Sequence, residues 1–284
     1  MINGSEGTVP SAEEKLQALE LMAGGIAHNI NNSLLPIMGY LRLARVEIAA
    51  GSPLAAYVEH MEAAAGRMAR LSGDLLAIAG KGINRLEDMD ISVLVGSFAK
   101  LLETGAKKPV ELRCMLAQDL PSIRADLMQV RQAVTTLVTN GVEAVGESGG
   151  IITIRSGASM GNHSPGKSTV VVGEPPRGEM VFLEVSDNGC GIPPEIMGRI
   201  FDPFFSTRLA GRGLGLAAVQ GIMRSHGGAV MVESRPGEGS TFRLLFPAAP
   251  RPEEARLSRQ PYVPDRTIVR HPREPTAPST SSIL

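Results

Sequence analysis

Residues 21–40 read LMAGGIAHNINNSLLPIMGY and contain one histidine, His28. Apolar residues recur through and beyond this stretch at heptad spacing, with Ile30, Ile37 and Ala44 at one seam position and Leu34, Leu41 and Ile48 at the other. This register puts His28 at position f, on the side of the helix that faces water. A solvated surface histidine is one interpretation, and a histidine that meets another domain or protein is the other.

The stretch belongs to a predicted pair of long helices. Helical periodicity runs from the capping pattern at Ser11 to about residue 50, and Ser52 and Pro53 begin a second helix that reaches about residue 80. The second helix repeats the heptad spacing with Val58, Ala65 and Ser72 alternating with Met61, Met68 and Leu75. One antiparallel hairpin cannot bury its whole apolar stripe, so the pattern predicts a homodimer in which two hairpins form a four-helix bundle.

Composition restricts the class of protein. The chain has 284 residues, room for about two domains, and its 43% hydrophobic and 20% charged residues are typical of a globular protein. The net charge of −1 argues against a nucleic-acid surface. Since no apolar run is long enough to cross a bilayer and residues 1–10 do not resemble a secretory leader, we expect no membrane insertion and a cytoplasmic location.

The pattern changes after residue 90 to a mixture of helices and strands. Helices are predicted at 91–104 and 127–145, and strands at 110–116, 151–155, 180–186, 229–233 and 241–246. We therefore expect a helical domain over 13–85 and an α/β domain over 90–247. Residues 157–179 are interpreted as an extended hairpin excursion, and residues 1–12 and 248–284 as disordered ends.

Three glycine-containing segments follow one another in the α/β half. DNGCGIP (187–193) ends a strand, and there the Asp187 carboxylate can accept a hydrogen bond from an exocyclic amine while glycines let backbone approach a flat ring. FDPFFST (201–207) suits a lid more than a core strand. GRGLGL (211–216) precedes a helical run, where exposed backbone N–H groups can bind phosphate.

Upstream, Asn140 lies on a predicted helix and offers a hard oxygen ligand for Mg²⁺. A buried amide that the core satisfies is the other interpretation of this residue. Each motif alone is weak, because short glycine motifs occur by chance. Their order and spacing are a stronger signal.

In that order the motifs resemble the transmitter region of sensor histidine kinases of two-component systems, over about residues 14–247. HNINNSLLPIMGY (28–40) resembles the histidine box of the HDFNN-type kinases, and FDPFFSTR (201–208) resembles their lid segment. The resemblance implies an α + α/β architecture. A dimerising helical hairpin would be followed by an α/β sandwich ATP-binding domain of the gyrase, Hsp90, histidine kinase and MutL superfamily.

The resemblance also implies the site residues. His28 would be the phosphoacceptor, with Asn29 and Asn32 beside it in the catalytic group, Asn140 would hold Mg²⁺, and Asp187 would bind the adenine amine of ATP. The other nucleotide contacts that it implies are Gly189, Gly191, Ile192, Phe204, Thr207, Arg208, Gly211, Gly213, Leu214 and Gly215.

The sequence departs from the family pattern beside the histidine. Asn29 stands where the family usually has Asp or Glu, and an amide can orient the imidazole but cannot take its proton. We therefore expect weak autophosphorylation. Asn32 lies one turn after His28, where related kinases position water to dephosphorylate a partner; a solvent-facing polar residue is an equal alternative. Thr136 replaces the usual first Asn of the asparagine box.

The expected function is that of an ATP-dependent protein-histidine kinase. It would phosphorylate His28 and pass the phosphoryl group to an aspartate in the receiver domain of a separate response regulator, with dephosphorylation of that regulator as a second activity. The input would come from a sensory partner protein or from an intracellular state. The alternative is a kinase-impaired ATP-binding module that serves as response-regulator phosphatase or scaffold.

Overall fold

The computed structural model describes residues 12–49, 51–80, 85–105, 109–160, 169–207 and 213–250. Most of the two segments predicted to be disordered lies outside these residues. The chain begins with helices α1 (Ala12–Glu47) and α2 (Pro53–Ile78). The Ser52 hydroxyl caps α2 by accepting the Leu54 N–H at 3.3 Å, and Pro53 occupies the first turn, as the sequence predicts. None of the described helices is both long and apolar enough to span a bilayer.

The hairpin buries one part of its predicted seam and leaves another part exposed. Leu34, Leu41, Val58 and Ala65 form a buried cluster between α1 and α2. The other seam residues Ile37, Met61 and Met68 have exposed fractions of 48%, 50% and 47%. A single chain therefore leaves an apolar stripe along its hairpin.

The second part of the chain is an α/β sandwich. Its helices are α3 (Ile91–Gly105), α4 (Leu127–Ala144), α5 (Pro194–Met197) and α6 (Gly215–Ser225). Its strands are β1 (Glu87–Met89), β2 (Val110–Met115), β3 (Ile123–Ala125), β4 (Gly150–Met160), β5 (Thr169–Val172), β6 (Glu179–Asp187), β7 (Ala229–Arg235) and β8 (Gly239–Pro247).

Six strands form the main sheet in the order β2-β4-β6-β8-β7-β5, and β1 pairs with β3 in a small second sheet. The β2–β4 pair is parallel, and the other pairs of the main sheet are antiparallel. Alternate residues of β6 point to opposite faces. Val181, Leu183 and Val185 enter the core beneath the helices, whereas Met180 and Phe182 belong to a smaller apolar cluster on the other face.

One local expectation needs correction, and three short elements are additional to the predicted ones. β4 continues to Met160 and pairs with β6 from Ile152 to Met160, so the predicted excursion after residue 156 begins as regular sheet. Gly157 permits this continuation because the Phe182 ring lies across it; an added Cβ would be 2.5 Å from a ring carbon. The elements β1, β3 and α5 are not predicted, since three or four residues are too few for periodicity to register.

The end of the hairpin packs against α4 and α6. Gly221 of α6 faces the last turn of α2, where an added Cβ would be 2.1 Å from the Ala77 carbonyl oxygen. The Arg224 guanidinium donates to the Ile78 carbonyl at 3.1 Å. These contacts place the C-terminal end of α2 on the outer side of α6.

Candidate functional site

His28 lies on the exposed side of α1. The residue before it, Ala27, is buried, and its carbonyl oxygen accepts a hydrogen bond from the buried Ser72 hydroxyl of α2 at 3.0 Å. Asn29 and Asn32 are also exposed, with Asn32 one helical turn after the histidine. The helix is thus anchored immediately before His28, while His28 itself faces outward.

Asp187 ends β6 at the edge of the predicted nucleotide site. It is half-buried, and its Oδ1 atom accepts the Gly189 N–H at 2.8 Å. Burial raises the pKa of Asp187, and hydrogen bonds from the backbone N–H groups of Gly189 and Ser240 offset part of that rise. A partly desolvated carboxylate gains more from a hydrogen bond with a ligand amine than a hydrated one does, because less water is displaced.

The loop after Asp187 is held against protein backbone on both sides. An added Cβ at Gly189 would lie 2.6 Å from the Ala144 carbonyl oxygen at the end of α4. At Gly191, which has a φ of +69°, it would lie 2.0 Å from the Arg235 carbonyl oxygen. The sequence predicts that these glycines let a flat ring approach the backbone. The structure gives a second reason for them, because the neighbouring backbone leaves no room for a Cβ atom at either position.

Ile192 completes this loop. It is half-buried against the main core, and its N–H donates to the Ser234 hydroxyl at 2.9 Å. The Cys190 N–H donates to the Ala144 carbonyl at 3.1 Å. The loop therefore joins the end of β6 to both α4 and β7.

The two ends of the predicted lid segment are hydrogen-bonded to each other. Phe204 has a φ of +68°, which is rare outside glycine, and its N–H donates to the Gly213 carbonyl at 2.8 Å. Gly213 has a φ of +63°, and an added Cβ there would be 2.4 Å from the Phe204 carbonyl carbon. The Phe204 ring is exposed, as is Thr207. Arg208 and Gly211, also predicted to contact the nucleotide, lie outside the described residues.

The predicted phosphate-binding site at the start of α6 contains Leu214 and Gly215. Leu214 is buried, and its carbonyl accepts the Ala218 N–H at 2.8 Å, the first bond of α6. Gly215 opens the helix, where the first backbone N–H groups have no partner within the helix and can bind an anion. The Thr136 methyl group of α4 packs beneath it, 2.9 Å from where a Cβ would be.

Helix α4 connects the two ends of this site. Asn140 is half-buried on it, and the adjacent Gly141 packs against Asp187, with an added Cβ 3.4 Å from the Asp187 Cβ atom. One turn before Asn140, Thr136 meets Gly215. The same helix therefore packs against Asp187 and against the start of α6, and Asn140 lies between Thr136 and Gly141 along it.

These residues fit an adenine nucleotide with Mg²⁺. They provide a partly desolvated carboxylate for an amine, the first backbone N–H groups of α6 for phosphate, and an amide oxygen of the kind Mg²⁺ accepts. In the described part of the chain, no three His, Cys, Asp or Glu side chains converge as a metal-binding group. A metal ion at Asn140 would therefore take its other ligands from the nucleotide and water.

The sequence does not single out His226, a buried side chain between α4 and α6. His226 ends α6 and is hydrogen-bonded to the start of α4. Its only signal is a histidine between an apolar helix face and a Gly–Gly pair. A surface interpretation would be equally reasonable from that pattern alone.

Comparison with known proteins agrees with this geometry. Residues 125–250 match the family model described as histidine kinase-, DNA gyrase B-, and HSP90-like ATPase. This region is an ATPase domain of that family. It contains Asp187, Asn140 and Gly215, the three residues around which the site is described.

The similarity extends beyond the ATPase domain into the hairpin. The chain is 33% identical over 238 residues to the sensor kinase CckA of Brucella abortus, covering 82% of this chain and 25% of that protein. It is 31% identical over 236 residues to the sensor histidine kinase ZraS of Escherichia coli, covering 83% of this chain and 47% of ZraS. The chain thus spans from a quarter to about half the length of these relatives.

A solved structure has the same fold. Full-length ShkA in complex with AMPPNP superposes with a TM-score of 0.61 at 24% identity, covering 82% of this chain and 46% of ShkA. The predicted helical hairpin followed by an α/β ATPase domain is confirmed. The resemblance to sensor histidine kinases is likewise confirmed.

Proposed function

We propose that this chain is the transmitter part of a sensor histidine kinase. It binds ATP with Mg²⁺ in the ATPase domain, phosphorylates His28, and passes the phosphoryl group to an aspartate of a separate response regulator. The observation that carries the proposal is the position of α4, which contacts Asp187 through Gly141 and Gly215 through Thr136. One helix thus sets the distance between the Asp187 carboxylate, which would accept a hydrogen bond from the base, and the N–H groups at the start of α6, which would bind the phosphates.

ATP supplies the phosphoryl group, and the residues of the chain supply binding and orientation. Asp187 would accept the adenine amine, and Asn140 would hold Mg²⁺ beside the phosphates. The lid from Phe204 to Gly213, with Arg208 within it, would cover the phosphates. The Phe204–Gly213 hydrogen bond keeps the two ends of this segment together.

At the hairpin, His28 would receive the phosphoryl group through an exposed imidazole nitrogen. Asn29 can orient the ring through its amide oxygen but cannot accept the proton that the ring loses. Absence of a general base lowers rates by about 10²–10⁴-fold, so the expected autokinase activity is weak. Asn32, exposed on the same face, would position water for dephosphorylation of the regulator.

Three partners follow from the proposal. The exposed seam residues Ile37, Met61 and Met68 support a homodimer, because a second hairpin would cover them. A response regulator would dock beside His28, with a sensory protein as a further partner.

The Asn29 amide favours a second candidate function. In it, the same dimer binds ATP as a conformational ligand and serves mainly as response-regulator phosphatase or scaffold. The distinguishing property is whether the natural sequence labels itself at His28.

The test is incubation of the full chain with γ-labelled ATP and Mg²⁺, beside His28→Ala and Asn29→Asp. Acid-labile label on the wild type that disappears in His28→Ala supports the kinase, and stronger labelling of Asn29→Asp supports the role given to Asn29. If only Asn29→Asp is labelled, the natural chain is the phosphatase or scaffold. If no version is labelled although AMPPNP binds, the assignment of His28 as phosphoacceptor is wrong.

A further inference from the structure

His226 is a buried histidine whose two ring nitrogens both have partners. Its exposed fraction is 7%, and its ring meets the Phe246 ring edge to face at 6.3 Å. Nε2 accepts the Asp126 N–H at 2.9 Å, and Nδ1 lies 2.7 Å from the Ile222 carbonyl oxygen. Since a carbonyl can only accept, the proton is on Nδ1 and the Nε2 lone pair faces Asp126.

Asp126 joins three segments of the chain. It is buried at the start of α4, where its Oδ1 atom accepts the N–H groups of Met128 and Gln129 at 2.9 and 3.1 Å. Its Oδ2 atom accepts the N–H of Arg85 at 3.1 Å, in the segment that follows the hairpin. With its own N–H bound to His226, this residue ties α4 to the end of α6 and to the hairpin connection.

The His226–Asp126 hydrogen bond joins α4 and α6 at one end of the pair, and the proposed nucleotide site lies at the other end. α4 and α6 run antiparallel: Asp126 begins α4 beside the end of α6, and Thr136 of α4 packs under Gly215, the first residue of α6. From Asp126 to Asn140 the helix extends about 21 Å. A slip of α4 along α6 would change the spacing between Asn140 and the α6 start.

We propose that His226 is a positioning residue for the nucleotide site, which it stabilises by fixing the register of α4 against α6 through the Asp126 N–H. Apolar packing between helices is weakly directional, whereas one buried N–H bonded to one ring nitrogen permits a single register. Through Asp126 and Arg85, the same bond connects the nucleotide site to the end of the hairpin. This inference rests on the proposed ATP-binding function.

Two substitutions separate the bonds of His226 in the full chain. Gln places an amide oxygen near the position of Nε2 and keeps an acceptor for Asp126, whereas Asn places an amide N–H near Nδ1 and keeps only the bond to Ile222. We expect His226→Asn to weaken Mg²⁺–AMPPNP binding about tenfold and His226→Gln to change it less than about twofold, as measured by titration calorimetry. Met231→Ala, in the apolar cluster on the opposite face of the sheet, controls for general loss of stability.

Amide hydrogen exchange without nucleotide gives an independent readout. His226→Asn should accelerate exchange along 136–144 and 213–218, while His226→Gln should not. Equal affinities of the Asn and Gln variants, or faster exchange confined to 225–228 in His226→Asn, would overturn the proposal. If His226→Asn does not fold, a folded His226→Gln with tenfold weaker binding would also overturn it. If the wild type binds no AMPPNP, the proposed function fails, and the exchange comparison still decides the role of His226.

Discussion

The hairpin and the ATPase domain differ in how completely a single chain buries their apolar side chains. In the ATPase domain, residues such as Val130, Ile152 and Ile222 are fully buried between the helices and the sheet. In the hairpin, the buried cluster consists of four residues, while Ile37 and Met68 on the same helices remain about half exposed. The helices and sheet of the ATPase domain enclose a buried core within one chain, whereas the hairpin leaves apolar surface that the proposed second copy would cover.

The two regions also differ in their glycines. In the ATPase domain, Gly189, Gly191 and Gly213 lie where an added Cβ would be 2.6 Å or less from backbone atoms. In α1, Gly25 and Gly39 have nothing within 4 Å of an added Cβ. The ATPase domain therefore depends on close backbone packing, whereas a single hairpin does not.

The largest expected effect contrasts two residues of α1. Leu34→Ala should reduce the free energy of unfolding by about 2–5 kcal/mol, because Leu34 is buried within one chain. Ile37→Ala should have little effect on the single chain but should raise the dimer dissociation constant about tenfold, measured by sedimentation. If both substitutions changed the free energy of unfolding and the dimer dissociation constant equally, the seam would not be divided into residues buried within one chain and residues covered by a second chain.

The next prediction concerns Asp187 in the ATPase domain. Asp187→Asn should weaken AMPPNP binding by about 10–100-fold, since a charged acceptor contributes about 1.5–3 kcal/mol. Burial raises the pKa of this carboxyl, so its ionisation costs stability as pH rises above its ordinary value of 3.8. The variant should therefore be at least as stable as wild type at pH 7, with a smaller advantage at pH 4. Unchanged affinity would show that Asp187 does not bind the base.

The same substitution at two glycines probes the contact between the regions. Gly221→Ala should lower the free energy of unfolding by about 1–3 kcal/mol, because its methyl group would meet the Ala77 carbonyl. Gly25→Ala, in open space on α1, should raise it by up to about 1 kcal/mol through helix propensity. Thermal unfolding measures both, and a neutral Gly221→Ala would show that α2 does not stay docked on α6.

The smallest effect is expected at Thr136. Thr136→Ser removes the methyl group beneath Gly215 and should weaken AMPPNP binding about fivefold, corresponding to about 1 kcal/mol. Thr136→Val keeps the methyl group and should bind within about twofold of wild type. A stronger effect for Val than for Ser would mean that the hydroxyl, not the methyl group, supports the site.

Much of the fold follows from local sequence patterns. Heptad spacing predicts α1 and α2, the Ser52–Pro53 cap predicts where α2 begins, and alternating apolar residues predict most strands. Short elements such as β1 and β3 do not register, because their pairing depends on residues more than thirty positions apart. The exposed half of the hairpin seam is likewise a tertiary property, since the heptad pattern does not say which seam residues face a second chain.

The motifs predict a nucleotide site and its residues, but not the contacts that hold those residues together. Asp187 and Gly215 are recognisable from glycine-containing segments, yet the role of α4 emerges only from the contacts of Gly141 and Thr136. His226 shows the same limit, because its partner Asp126 is a hundred residues away. Long-range contacts of this kind leave no periodic signal in the chain.

In the proposed site, α4 aligns one nucleotide between Asp187 and the start of α6. A crystal structure of the full chain with AMPPNP and Mg²⁺ tests it most directly. We predict the adenine amine within hydrogen-bond distance of the Asp187 carboxylate, the Asn140 amide oxygen on Mg²⁺, and phosphate oxygens at the N–H groups of 214–216. A nucleotide bound elsewhere, or bound here with Asn140 away from the metal, would contradict the proposed role of α4.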